Sequence, residues 1–134
     1  MNHHDPRILI VDDRPENLLA LTTTLSDVEA SIVQAGGGEE ALAATLRDDF
    51  ALAILDVQMP GMDGYELAEL LRGDPKTRHM PIIFLTAAYG EEKQIFKGYE
   101  SGAVDYIVKP YDPFVLVAKV NVLLEMDRVR WELR

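Results

Sequence analysis

Asp12, Asp13 and Asp56 are carboxylates that follow directly on apolar runs. Ile8–Val11 leads into the first two and Leu52–Leu55 into the third. Two more runs end on groups that can meet a phosphate: Ile82–Leu85 ends on Thr86, and Tyr106–Val108 on Lys109-Pro110. A fifth, Ser31–Ala35, ends on glycines. Oxygen donors without cysteine or histidine suit Mg2+ or Mn2+, which keep waters and often take a phosphate as a ligand. Clustered acids raise one another's pKa, so a divalent cation and Lys109 together are needed to balance the three negative charges. Asp56 stands alone at its strand end and is the candidate nucleophile, because carboxylates form aspartyl-phosphates. Lys109 would hold one phosphoryl oxygen and Thr86 would donate a hydroxyl to another.

Such convergence needs a fold that brings the ends of distant strands to one edge. Parallel strands do this, and α/β folds place their sites at that edge. Helical segments lie between the runs. The first starts near Pro15-Glu16, with Leu18, Leu21 and Leu25 on one face. The second opens after Gly36-Gly37-Gly38; Glu39 and Glu40 favour its positive end, and Leu42 and Leu46 are expected to face inward. The third carries a capping box, Asp63 with Glu66, then Leu67, Leu70 and Leu71, and stops at Gly73. A fourth is expected from Gly90-Glu91-Glu92 to Ser101-Gly102, and the last begins at Asp112-Pro113. The (βα)5 alternation predicts an α/β, doubly wound, parallel five-stranded sheet covered on both faces. Near-continuous apolar strands agree, because central parallel strands are buried on both sides.

The bulk composition narrows the classes further. A chain of 134 residues, 48 % hydrophobic and 27 % charged, fits one domain that folds without disulfides or a structural metal. It has no cysteine, no run long enough to span a membrane, and no signal-peptide core at its N-terminus, so a cytoplasmic address is expected. The net charge of −10 argues against nucleic acid or an anionic membrane as a direct ligand and suits a cation-binding domain. Gly36-Gly37-Gly38 lacks the Lys-Ser/Thr ending of a phosphate-binding loop and reads as a turn. His3, His4 and His79 fall outside the strand-end cluster and read as surface residues.

The last helix is longer than its sheet requires. Glycine and proline are absent from Phe114 to Arg134, and Val122, Met126, Val129 and Leu133 follow a four-three-four heptad spacing among Arg128, Arg130, Glu132 and Arg134. The expected division is an N-terminal tail over 1–6, a core domain over 7–124 and a helical extension over 125–134. The extension reads as the start of a coiled coil that pairs with a second copy.

Taken together, Ile8–Asp13, the stretch Asp56-Val57-Gln58-Met59-Pro60-Gly61-Met62-Asp63-Gly64, Phe84-Leu85-Thr86-Ala87 and Gly102–Pro110 resemble the receiver domains of two-component response regulators. The resemblance runs from about Arg7 to Lys119, in the family's order and spacing, with no signature position departing from the pattern. It implies a flavodoxin-like (CheY-like) fold with strand order 2-1-3-4-5, an order for which a receiver is itself the usual illustration. It also implies roles. Asp56 takes a phosphoryl group from a sensor histidine kinase or phosphotransfer protein. Asp12, Asp13, Asp56 and the backbone carbonyl of Gln58 hold Mg2+. Thr86 and Tyr106 form the switch pair, Lys109 contacts the phosphoryl group, and the Lys109-Pro110 peptide is cis. The chain would be no enzyme beyond its own phosphorylation and dephosphorylation, and a C-terminal effector or kinase module is an implied partner. Phosphorylation adds charge and acceptor oxygens that can bias a bistable stretch, expected between Thr86 and Tyr111.

Two other classes compete. A Mg2+-dependent phosphohydrolase with an aspartyl nucleophile would carry a second acid two residues after Asp56, where this chain has Gln58. A phosphate-independent interaction domain or flavin binder would not need the intact set of acids.

Overall fold

The computed structural model describes residues 5–87 and 104–133. In chain order the elements are β1 (Arg7–Val11), α1 (Pro15–Thr24), β2 (Ser31–Ala35), α2 (Gly38–Arg47), β3 (Leu52–Asp56), α3 (Gly64–Arg72), β4 (Ile82–Thr86), β5 (Val104–Val108) and α4 (Pro113–Glu132). The helix expected between Gly90 and Gly102 lies outside the described residues. All strand pairs are parallel, in the order β2-β1-β3-β4-β5. The fold is thus the doubly wound, flavodoxin-like sheet with the 2-1-3-4-5 order.

Alternation along the strands sends their side chains into two separate cores. Leu9, Val11, Ala53, Leu55, Ile82 and Phe84 meet Ala41, Ala44, Leu67, Ala68 and Leu71 of α2 and α3. Ile8, Ile10, Leu52, Ile54, Ile83, Leu85 and Ile107 meet Leu18 and Leu21 of α1, Leu25 just beyond it, and Leu116 and Val120 of α4. The central strands β1, β3 and β4 are buried on both faces, which is why they read as unbroken apolar runs.

Local signals set the helix starts. Asp63 accepts from the Glu66 backbone N–H at 2.9 Å and Glu66 reaches back to the Asp63 N–H at 3.0 Å, a reciprocal cap for α3. Asp112 caps α4 through the Phe114 N–H, with Pro113 in the first turn. One inward assignment, that of Leu46, needs correction. Leu46 is 75 % exposed and Leu70 51 % exposed. The face of α2 against the sheet is Gly38, Ala41, Ala44 and Thr45, small residues that let the helix approach closely, and this rotation turns Leu46 outward. On α3 the inward stripe is Gly64, Leu67, Ala68 and Leu71, which leaves Leu70 on the solvent side.

Candidate phosphoryl-acceptor site

The site grows from the carboxyl ends of β1, β3, β4 and β5. Asp12 follows β1 and is buried; its backbone N–H donates to the Ala35 carbonyl, which holds it against β2. The Arg14 backbone N–H donates to Asp12 Oδ1 at 2.9 Å and fixes the carboxylate as the chain turns into α1. Asp13 beside it is exposed. Asp56 ends β3, where its neighbour Val57 donates to the Leu85 carbonyl at 3.0 Å. One carboxylate oxygen from each of Asp12, Asp13 and Asp56 lies within 4.8 Å of the others. Three anionic oxygens at that separation, two from buried residues, fit a hard divalent cation.

Lys109 arrives from β5. Its backbone N–H donates to the Thr86 carbonyl at 2.8 Å, and its Nζ donates to Asp56 Oδ1 at 2.6 Å. The Lys109-Pro110 peptide is cis. Burial pushes the Asp56 carboxyl above its ordinary range, with the Asp12 and Asp13 charges acting in the same direction; Lys109 opposes both effects. The ionised carboxylate is therefore disfavoured where it sits, and added positive charge would relieve it.

Thr86 ends β4 and is buried. In the β4–β5 register Phe84 pairs with Tyr106 and Thr86 with Val108, so Thr86 and Tyr106 are diagonal neighbours on one face. The half-buried Tyr106 ring stacks on Phe84, centroids 5.3 Å apart, and Tyr65 of α3 meets Phe84 in a tilted contact at 4.8 Å. Gln58 is exposed in the loop from β3 to α3, and His79 is exposed far along the chain from the acids.

Two supporting groups were missed in the sequence. One is the Arg14 N–H, which any residue type supplies and no side-chain pattern reveals. The other is Gly64, where a Cβ would lie 2.4 Å from the Asp56 carbonyl oxygen and 3.0 Å from Val57 Cα. Only glycine lets the start of α3 approach the end of β3 so closely; the Asp63-Gly64 pair was the available signal.

Comparison with known proteins agrees with this geometry. The family model described as the response regulator receiver domain matches residues 8–121. Response regulator PleD of Caulobacter vibrioides is 41 % identical over 128 residues, which are 96 % of this chain and 28 % of that protein. Transcriptional regulatory protein ResD of Bacillus subtilis is 40 % identical over 121 residues, 90 % of this chain and 49 % of ResD. The chain spans half or less of the length of these relatives. Among solved structures, Vibrio cholerae chemotaxis protein CheY4 superposes with a TM-score of 0.78 at 31 % identity, over 90 % of this chain and 99 % of the other. A response regulator receiver domain protein from Methanospirillum hungatei gives 0.80 at 29 % identity, over 93 % and 98 %. Five parallel strands in the 2-1-3-4-5 order, an acidic strand-end cluster and these matches carry one conclusion: the chain belongs to the response regulator receiver domain family.

Proposed function

We propose that Asp56 is the phosphoacceptor of this receiver and that its phosphorylation drives a switch read by a partner or output module. The observation that carries the proposal is the buried Asp56 carboxylate, ion-paired to Lys109 at 2.6 Å and facing Asp12 and Asp13. In the reaction an Asp56 oxygen attacks the phosphorus of a histidine kinase's or phosphotransfer protein's phosphohistidine. The phosphorus–nitrogen bond breaks and imidazole leaves. Asp12, Asp13, Asp56 and the Gln58 carbonyl would hold Mg2+, which supplies charge neutralisation for the transferring group when bound. Lys109 holds a phosphoryl oxygen and neutralises part of the incoming charge. Thr86 donates its hydroxyl to the phosphoryl group, and Tyr106 turns inward behind it on the shared sheet face. Beyond forming and losing this acyl phosphate the domain turns over no substrate.

The burial pattern supports reading the boundary of the core domain at Leu124. Leu116, Val120, Leu123 and Leu124 pack on the sheet, whereas of the described residues past Leu124 all but the half-buried Asp127 are exposed. The extension is suited to passing the switch to an effector or kinase module and to pairing with a second copy. None of the described helices is long and apolar enough to cross a membrane, in keeping with a cytoplasmic role.

The test is direct. With Mg2+ and a small phosphodonor, mass spectrometry should find one base-labile adduct that is absent in Asp56→Asn. A missing adduct, or one that persists in the variant, refutes the proposal. Multiple turnovers of phosphoesters would instead favour the phosphohydrolase.

A further inference from the structure

The three glycines after β2 join the two sides of the acid cluster. On one side the Asp12 backbone N–H donates at 3.2 Å to the carbonyl of Ala35, the residue just before them. On the other, Gly38 opens α2 and is buried beneath Met62 of the β3–α3 loop. A Cβ built at Gly38 would lie 2.4 Å from Met62 Sδ, 3.1 Å from its Cγ and 3.2 Å from its Cβ. The thioether can swing aside, but the Met62 Cβ moves only with the loop backbone. Neither partner has room to retreat, because Ala41 and Ala44 hold α2 in the core on which Met62 itself packs. The loop is tied at both ends. The Val57 N–H donates to the Leu85 carbonyl at 3.0 Å, and the Gly64 N–H to the Val57 carbonyl at 2.9 Å. Between these ties the chain turns at Gly61, with φ of 74°. The middle of the loop is then held by Met59 in the core and by the seat of Met62 on Gly38.

We infer that the Gly36–Gly38 turn is a brace that sets the gap between Asp12 and the loop after Asp56, and with it the cation affinity and selectivity of the site. The inference rests on reading Asp12, Asp13, Asp56 and the Gln58 carbonyl as the ligands. One short turn fixes a carboxylate at its start and the loop at its end, which leaves little slack between them. That stiffness matters most to a small ion. Mg2+ demands a near-ideal octahedron at about 2.0–2.1 Å, whereas Ca2+ accepts oxygens at about 2.3–2.6 Å in flexible geometry. A loop displaced by a bulkier seat therefore penalises Mg2+ more than Ca2+. Gly38 and Met62 are positioning residues: they act through the loop and not on the ion.

Titration calorimetry of the whole chain with Mg2+ alone and with Ca2+ alone, in the absence of phosphodonor, tests the brace. Gly38→Ala should weaken Mg2+ binding by about tenfold or more and Ca2+ binding by about threefold or less. Gly37→Ala should leave both unchanged, since its backbone is extended and a Cβ there would meet nothing within 4 Å. Met62→Ala tests the same seat without adding bulk and should also weaken Mg2+. Combined with Gly38→Ala it should recover part of the affinity that Gly38→Ala loses, because the new methyl takes the place of the thioether. Mg2+ affinity unchanged in both single variants, equal losses for the two ions, or a double variant in which the losses simply add would each overturn the inference. A wild type that binds no Mg2+ would refute the cation site and the brace with it. Adduct formation on Asp56, measured separately by mass spectrometry, keeps the fate of the phosphoacceptor proposal distinct.

Discussion

Replacing Asp56 with asparagine should make the protein more stable without metal and less stable with it. Each pair among the three carboxylates, at up to 4.8 Å, repels by roughly 3.5 kcal/mol at an effective dielectric of about 20. Asp56 takes part in two such pairs, about 7 kcal/mol of repulsion, against about 6 kcal/mol of attraction to Lys109 at 2.6 Å. These nearly cancel, so the sign is set by burial of the ionised group, which is also the leading cause of its raised pKa. Asparagine keeps the shape and removes the charge. In EDTA at pH 7 the variant should gain on the order of 1 kcal/mol in urea unfolding. Saturating Mg2+ should reverse the order: at a hundredfold excess over Kd the wild type gains about 2.7 kcal/mol, and the variant, with one ligand fewer, far less. The pH dependence has a definite sign. A carboxyl whose folded pKa is raised binds its proton more tightly in the native state. Wild-type stability in EDTA should therefore fall as pH rises from the ordinary value of 3.8 through the higher folded pKa, and Asp56→Asn should lack that component. A variant less stable than wild type in EDTA, or Mg2+ stabilising both equally, would refute the electrostatic reasoning.

Other perturbations test separate parts of the structure. Lys109→Met leaves Asp56 buried among like charges and should cost about 1–3 kcal/mol in EDTA by urea unfolding, with slower adduct formation from a phosphodonor. Gly64→Ala drives a Cβ into the Asp56 carbonyl and should lower stability by about 1–3 kcal/mol. At Gly61, with φ of 74° and open space around it, alanine should cost only about 1–2 kcal/mol, from backbone strain alone; thermal melts compare the two. Leu67→Ala should cost about 2–5 kcal/mol, whereas Leu70→Ala one turn away should stay within about 0.5 kcal/mol.

Much of this architecture was legible because it depends on signals that act locally. Apolar runs ending in Asp12, Asp56, Thr86 and Lys109 read directly as strand ends, and the reciprocal hydrogen bonds of Asp63 and Glu66 require only three residues of spacing. What escaped depends on neighbours. Leu46 and Leu70 are as apolar as any core residue, but the side that faces the sheet was decided by how closely Ala41, Ala44 and Ala68 allow the helices to approach. Arg72 is buried, with its guanidinium donating to the Met80 carbonyl at 2.6 Å, and no sequence pattern distinguishes it from a surface arginine at the end of a helix. The stacking of Tyr106 on Phe84 depends on strand register, and the tilted contact of Tyr65 with the same ring on how α3 docks; both were likewise invisible.

The two-core arrangement constrains how a message leaves the site. Thr86, Phe84 and Tyr106 lie on the face shared with α2 and α3, while α4 belongs to the opposite layer. Under the proposed switch, a ring turning on one side of the sheet would have no side-chain route to α4 among the described residues and would act through the strand it is built on. In β5 the residues on either side of Tyr106 project the other way: Ile107 into the core beneath α4, and Asp105 to Lys119 on α4 itself. A displacement of its backbone would reach both layers at once, and the ion pair on its far side is where that motion would first load the helix.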